Sequence, residues 1–277
     1  MTIATHTLGC KLNFAETSHL QRQFENAGFN IVGYHQKADV YVINTCTVTA
    51  IAEKKCRNAI RQAVALNPNA VVAVIGCFAQ NGAGQIAKIP GVSIILGNNQ
   101  KHQLLEILTE QGFKPGTTPR VETEEPKTFQ LSYSGDDRTR TFFKIQDGCD
   151  YFCSYCAIPL ARGRSRSATI EATVAMARTI AATGTREIVL TGVNTGTFGL
   201  QHGEQFLDLL RQLDDIEEIA RYRISSIEPN LLTDEIIDFV ASSRAFLPHF
   251  HIPFRRVPTK CCGSCAVVTT PPSMPAA

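Results

Sequence analysis

The sequence predicts an α/β protein, with an N-terminal domain on a parallel sheet followed by an incomplete (β/α) partial barrel. Short runs rich in Val, Ile and Tyr alternate with longer segments whose apolar residues recur at helical spacing. This alternation is typical of βαβ units, whose strands are parallel. A stretch at 113–140 that contains several prolines and threonines separates two such series, and it predicts a linker between two domains.

The first series occupies residues 1–112. Its predicted strands are 3–8, 38–45, 71–76 and 92–96, and its predicted helices are 13–27, 49–66 and 101–109. Gly28 ends the first of these helices, and Asn67 with Pro68 closes the second.

The second series occupies residues 141–254. Its predicted strands are 142–146, 187–190, 222–226 and 249–252, and its predicted helices are 168–183, 206–213 and 232–241. Four strand–helix steps within this length predict a barrel or part of one.

Composition limits the class of protein. The 277 residues are 44% hydrophobic, enough for one large domain or two ordinary ones. A net charge of +2 permits a nucleic-acid partner without arguing for one. The first residues lack the pattern of a secretory signal, and apolar runs such as 71–75 are too short to cross a bilayer, so we expect a soluble cytoplasmic protein with no membrane partner. Ten cysteines in such a protein favour metal ligation or catalysis over disulfides.

Three of these cysteines each follow a predicted strand. They are Cys10, Cys46 and Cys77. Because the carboxyl ends of parallel strands lie along one edge of a sheet, the three thiols are expected to converge on a metal site. The alternative for any single one is a small buried apolar side chain, and that is our interpretation of Cys56, which lies within a predicted helix.

A second set of cysteines is tightly spaced. Cys149, Cys153 and Cys156 form a C-x3-C-x2-C motif directly after a predicted strand. Three thiolates can hold three irons of a [4Fe-4S] cluster and leave the fourth iron open to a ligand. Structural zinc sites need a fourth protein ligand, and bacterial ferredoxins use a C-x2-C-x2-C spacing instead.

This motif resembles that of the radical S-adenosylmethionine superfamily, in which the open iron binds the amino and carboxylate groups of the cofactor. The resemblance implies that Tyr155 lies near the adenine. It also implies cofactor contacts from the segments after the second and third barrel strands, at Gly192, Asn194, Ser226 and Glu228. Ordinary turn or loop roles are the alternative for each of these residues, and no residue is assigned as a catalytic acid or base.

With both cysteine sets present, the chain as far as about Pro253 resembles the methylthiotransferase family. The matching segments are Gly9-Cys10, Asn44-Thr45-Cys46, Gly76-Cys77 and residues 162–167. The resemblance implies a transferase with two [4Fe-4S] clusters, the one at residues 1–112 being an auxiliary cluster involved in sulfur delivery. One S-adenosylmethionine would yield a 5′-deoxyadenosyl radical at the second cluster, and another would supply the methyl group.

Residues 7–13, Thr-Leu-Gly-Cys-Lys-Leu-Asn, are most similar to the tRNA enzymes of this family that act on N6-threonylcarbamoyladenosine. This implies insertion of a methylthio group at C2 of that base, next to the anticodon. The implied partners are the tRNA anticodon loop and an electron donor such as a flavodoxin or ferredoxin. Candidate phosphate contacts, for which solvated surface charge is the alternative, are Arg138, Arg140, Arg162, Arg164 and Arg166.

Two alternatives to a tRNA enzyme stay open at this point. A ribosomal-protein methylthiotransferase would apply the same chemistry to an aspartate side chain. A remnant that holds iron–sulfur clusters or RNA without catalysis is the other.

Residues 255–277 do not continue the family pattern. They show no helical or strand period, which predicts a disordered tail, and a shifted reading frame over 256–270 would restore a family-like string. We therefore expect this chain to be a fragment whose activity depends on what the rest of the barrel and a C-terminal RNA-binding domain contribute. A third metal site on Cys261, Cys262 and Cys265 is the alternative.

Overall fold

The computed structural model of the chain describes residues 1–110, 118–135 and 140–253. These residues form two compact units. The first comprises the described parts of Met1–Thr128 together with Ser132–Gly135 and Leu160–Gly163. The second contains Phe129–Leu131 and the described residues of 140–159 and 164–253.

The first unit is built on a six-stranded parallel sheet in the order β2-β1-β3-β4-β5-β6. Its strands are β1 (Thr2–Thr7), β2 (Asn30–Val32), β3 (Val40–Thr45), β4 (Val71–Gly76), β5 (Ile94–Leu96) and β6 (Arg120–Glu122). Its helices are α1 (Lys11–Asn26), α2 (Ala50–Leu66), α3 (Cys77–Ile86) and α4 (Leu104–Thr109).

Apolar clusters on both faces of this sheet form the core. Every residue of β3 and β4 is buried, as expected of strands covered by helices on both sides. Tyr41 and Ile43 belong to the cluster that contains Ile60 of α2. The alternate residues, Val40 and Val42, belong to the cluster that contains residues of α1 and α4.

The second unit contains four parallel strands in the order β13-β12-β11-β8. The remaining strands of the chain are β7 (Ser132–Tyr133), β8 (Thr141–Lys144), β9 (Gln146–Asp147), β10 (Arg166–Ser167), β11 (Glu187–Thr191), β12 (Arg221–Ile224) and β13 (Phe246–Phe250). The remaining helices are α5 (Ile158–Arg162), α6 (Ile170–Ala182), α7 (Phe206–Asp214) and α8 (Asp234–Ser242). The predicted α/β class with parallel strands is confirmed.

The elements differ from the sequence prediction at several places. β6 lies within the stretch assigned to a linker, and it extends the first sheet by pairing with β5. α3 was not expected, because it contains two glycines and an asparagine, which are poor helix formers. The last described strand is 246–250 rather than 249–252. Among the described residues, no helix combines the length and apolar character needed to span a bilayer.

Gly76 joins β4 to α3 and has a backbone that favours glycine, with φ of +94°. A Cβ atom there would overlap Asn44 Oδ1 and lie 2.9 Å from the carbonyl oxygen of Thr45. Gly28 has a similar φ of +84° but nothing within 4 Å of its Cβ position. We therefore expect Gly76→Ala to lower the free energy of unfolding by about 3 kcal/mol, and Gly28→Ala by only about 1 kcal/mol. Urea unfolding of both variants measures the difference, and equal losses would show that the space beside Asn44 is not tight.

Candidate cluster and cofactor sites

The three widely spaced cysteines lie at the carboxyl ends of three neighbouring strands. Cys10 follows β1, Cys46 follows β3 and Cys77 follows β4. The register pairs Thr45 with Gly76, the residues directly before Cys46 and Cys77. This is the edge of the sheet at which the sequence placed them.

Local backbone geometry brings two of these cysteines close together. Gly9 has φ of +114°, and a Cβ atom on it would lie 3.0 Å from Cys46 Cβ and 3.3 Å from Cys46 Sγ. Any other residue at position 9 would push against Cys46. Cys10 is the residue before α1, and Cys77 is the first residue of α3. The partial positive charge of these helix N-termini favours thiolates.

The surroundings of Cys10 and Cys46 disfavour ionisation of both thiols. Desolvation raises the pKa of both thiols, and their proximity to Cys77 raises both further. Arg162 acts in the opposite direction on each of them. Thiols of this kind ionise when a metal replaces the proton, which couples metal binding to proton release.

Two asparagines form a polar frame around these cysteines. Asn13 Nδ2 donates to the carbonyl oxygens of Leu8 at 2.7 Å and Thr45 at 3.1 Å, so it ties the loop before Cys10 to the end of β3. Asn98 Nδ2 lies 3.5 Å from Cys77 Sγ. Sequence reasoning did not assign either side chain. The available signal was that Asn13 lies within the motif that begins at Thr7.

Cys56 makes specific contacts with the backbone of Cys46, whereas the sequence predicted only inert packing. It is fully buried in α2, and its sulfur lies 3.4 Å from the amide nitrogen of Cys46 and 3.5 Å from the carbonyl oxygen of Cys46. Burial raises the pKa of the Cys56 thiol to about 11. At neutral pH it is therefore a protonated thiol that supports the backbone of Cys46.

The second cysteine set lies on the loop after β9. Cys149, Cys153 and Cys156 are all partly exposed, and the amide of Cys156 donates to the carbonyl oxygen of Cys153 at 2.9 Å. Desolvation raises the pKa of Cys149, and the nearby Cys156 and Cys153 thiols add to this effect. The loop therefore gathers three thiols, and Phe152 between them adopts a positive φ of 46°.

Four of the five residues assigned to the cofactor follow β11 and β12, as the sequence suggested. Asn194 Oδ1 accepts from the amide of Glu228 at 3.3 Å, which joins the two segments. The negative charge of Glu228 adds to the raised pKa of Cys149. Tyr155 is 61% exposed and is accessible to a ligand. Ser226 has a positive φ of 51°, and its hydroxyl lies 3.3 Å from His251 Nδ1.

Gln146 is a central residue of this region that sequence reasoning missed. Its Oε1 accepts from the amide of Asn194 at 2.9 Å, and its Nε2 donates to Gly148 O at 2.8 Å and Ser165 Oγ at 3.0 Å. A Cβ atom on Gly192 would lie 2.7 Å from Gln146 Oε1, so the Gln146 side chain occupies the space beside this glycine. Gln146 therefore fixes the start of the cysteine loop to the segment after β11.

Replacing Gln146 by leucine is expected to lower the free energy of unfolding by about 2–4 kcal/mol, because Asn194 N and Ser165 Oγ lose a buried partner. The matched control is Gln62→Leu, since Gln62 bonds His35 at an exposed site. Chemical denaturation of the cluster-free protein measures both changes. Similar values for the two variants would show that Gln146 does not hold the loop.

The predicted phosphate contacts divide into two groups. Arg162 and Arg166 are buried against the carboxylates of Glu16 and Asp147, so their interpretation as RNA contacts or as solvated surface charge is wrong. Arg164 is 70% and Arg140 48% exposed, which keeps them available to an external partner. Arg138 lies outside the described residues, as do Cys261, Cys262, Cys265 and the whole of 255–277.

The chemistry of the two donor sets, three thiols each, suits iron–sulfur clusters. Among the described residues, no group of three or more His, Cys, Asp or Glu side chains is arranged to hold a metal ion. A [4Fe-4S] cluster binds each thiolate through a different iron, so the sulfur atoms lie further apart than the ligands of one ion. Two separate sets of three cysteines, without a fourth ligand in either motif, suit that arrangement.

Comparison with known proteins also separates the parts of the chain that contain the two cysteine sets. Residues 2–97 match the uncharacterized protein family UPF0004, and residues 143–256 match the radical SAM superfamily. The fold resembles that of the radical S-adenosylmethionine methyltransferase TsrM from Kitasatospora setae, with a TM-score of 0.63 and 15% identity over 96% of this chain and 61% of that one. Residues 143–256 thus form a radical S-adenosylmethionine domain, which implies a [4Fe-4S] cluster and S-adenosylmethionine as cofactors.

Curated relatives narrow the family. The chain is 40% identical to the threonylcarbamoyladenosine tRNA methylthiotransferase MtaB of Bacillus subtilis, over 92% of this chain and 57% of that protein. It is 37% identical to the protein of the same name from Aquifex aeolicus, over 91% of this chain and 62% of that protein. The chain is therefore similar over about nine tenths of its length to radical S-adenosylmethionine methylthiotransferases, and it spans about three fifths of the length of these relatives.

Proposed function

We propose that the chain carries the cluster-binding part of a tRNA methylthiotransferase. The reaction inserts a methylthio group at C2 of N6-threonylcarbamoyladenosine, next to the anticodon, in the cytoplasm. The observation that carries this proposal is the 40% identity to a protein of that named activity, because it extends over 92% of the chain and so includes both cysteine sets.

Two [4Fe-4S] clusters belong to this proposal. Cys149, Cys153 and Cys156 would hold the radical cluster, and Cys10, Cys46 and Cys77 the auxiliary one. When bound, the radical cluster and S-adenosylmethionine supply the one-electron chemistry that an inert aromatic C2–H bond requires. The ring of Tyr155 would lie against the cofactor's adenine. Gly192, Asn194, Ser226 and Glu228 would lie around its polar groups.

The substrate base must leave its stack to reach the proposed radical cluster, and a single-stranded anticodon loop makes this easy. The exposed Arg140 and Arg164 would contact phosphates of that loop. Reduction of the radical cluster requires an electron donor, and a flavodoxin or ferredoxin has the appropriate chemistry.

Mass spectrometry of tRNA nucleosides tests the substrate. In a strain that lacks the gene, we expect loss of the methylthio group from threonylcarbamoyladenosine and no change in other methylthio nucleosides. Expression of the gene should restore it, and a Cys149→Ala version should not. An unchanged tRNA profile would refute the proposal. A methylthio group lost instead from a ribosomal-protein aspartate would identify the ribosomal-protein reaction.

A further inference from the structure

A group of three charged side chains is buried in the first unit. Glu16 on α1, Lys101 before α4 and Arg162 at the end of α5 are each at most 1% exposed. Lys101 Nζ lies 2.7 Å from Glu16 Oε2, and Arg162 Nη1 lies 3.1 Å from Glu16 Oε1. We call these residues the Glu16 cluster. It brings two cations to one carboxylate.

Each cation of the Glu16 cluster reaches a cysteine through one asparagine. Arg162 Nη2 donates to Asn13 Oδ1 at 2.6 Å, and the same oxygen lies 3.8 Å from Cys10 Sγ. Lys101 Nζ donates to Asn98 Oδ1 at 2.8 Å, while Asn98 Nδ2 lies 3.5 Å from Cys77 Sγ. The two paths end on two of the three cysteines at the edge of the sheet.

Stability alone does not explain the Glu16 cluster. Removing charges from water costs so much that an apolar group of similar shape often stabilises a protein as well or better. The two cations and one carboxylate of the Glu16 cluster carry a net positive charge. Such a charge is useful where negative charge is also buried, and thiolates that hold an iron–sulfur cluster are buried negative charge.

We propose that Arg162, supported by Lys101, is a positioning residue that raises the reduction potential of the iron–sulfur cluster on Cys10, Cys46 and Cys77. The inference rests on the proposed auxiliary cluster at those cysteines. Reduction adds an electron to the cluster, and a cation held close by in a medium of low dielectric constant stabilises the more negative state. Arg162 lies six residues after Cys156 in the sequence, so the segment that follows one cysteine motif sets the potential at the other.

The test uses the whole chain with Cys149, Cys153 and Cys156 replaced by alanine, so that a cluster forms only on the remaining set. A redox titration followed by electron paramagnetic resonance gives its potential. Arg162→Gln is expected to lower the potential, and Glu16→Gln to raise it. Each shift should correspond to a tenfold or larger change in the reduction equilibrium, which is about 59 mV for one electron.

Opposite shifts separate an electrostatic role from a structural one, because damage to the site would not reverse its sign between the two variants. Arg162→Lys, which keeps the charge, should stay closer to the parent than Arg162→Gln. Arg61→Gln removes an exposed arginine from α2 of the same unit and should leave the potential unchanged. If Arg162→Gln fails to fold, the upward shift in Glu16→Gln carries the test.

Shifts of the same sign, or potentials equal to that of the parent, would overturn the role of Arg162 and leave the auxiliary cluster intact. A parent that binds no iron or sulfide would instead refute the auxiliary cluster itself. The two failures are therefore distinct.

Discussion

Replacing Cys149 by alanine is expected to abolish reductive cleavage of S-adenosylmethionine while the auxiliary cluster is retained. The motif has no spare thiol, since C-x3-C-x2-C supplies one ligand for each of three irons. Without Cys149, the proposed radical cluster would lack one of its three cysteine ligands. Anaerobic reconstitution with a chemical reductant, followed by chromatography for 5′-deoxyadenosine, measures the loss.

The matched control for Cys149→Ala is Cys10→Ala, which makes the same chemical change in the first unit. We expect this variant to lose auxiliary iron and to keep cleaving S-adenosylmethionine. If Cys149→Ala produced 5′-deoxyadenosine at the rate of the parent, the assignment of the radical cluster would be incorrect.

Replacing Asp147 by asparagine is expected to lower the free energy of unfolding by about 3–5 kcal/mol. Asp147 is 1% exposed, and its Oδ2 lies 2.9 Å from Lys144 Nζ and 3.5 Å from Arg166 Nη2. Removing the carboxylate leaves two buried cations without their shared anion. Asp147 Oδ1 also accepts from the amide of Gly148 at 2.9 Å, and the amide oxygen of asparagine can keep this bond, so the loss measures the two cations.

Urea unfolding of the cluster-free protein measures the loss at Asp147. Asp208→Asn is the matched control, since Asp208 pairs with Arg211 at an exposed site and is expected to cost at most about 1 kcal/mol. A loss at Asp147 no larger than the loss at Asp208 would mean that water or nearby groups already satisfy the two cations.

Asp147 and Glu16 show the same arrangement in the two units. Each is a buried carboxylate between a lysine and an arginine, and each lies beside one set of cysteines. Both arginines, Arg162 and Arg166, come from one short segment after the C-x3-C-x2-C motif. The sequence predicts exposed charge for this segment. An arginine gives no local sign of the carboxylate with which it pairs in the fold.

Parts of the fold could be predicted because local pattern and tertiary role agree. β3 and β4 are runs of apolar residues, and both strands are buried on each face. β6 could not be predicted, since Arg-Val-Glu offers one apolar residue and becomes a strand only by pairing with β5. α3 was missed because packing overrides the poor helix propensity of its glycines.

The places of the candidate cysteines in the fold could be predicted because spacing and position after strands are both visible in sequence. The residues that hold them in place could not. Gln146, Asn13 and Asn98 act through hydrogen bonds to segments distant in the chain, and single polar residues show no period or spacing that marks such a role.

Iron and sulfide content after anaerobic reconstitution tests the central claim most directly. Two [4Fe-4S] clusters predict about eight irons and eight sulfides per chain, and about four of each when either cysteine set is replaced by alanine. Replacing both sets should leave none. The contrary result would be a parent that holds only about four irons. If replacing one cysteine set removed all of them and replacing the other removed none, the chain would not hold two clusters.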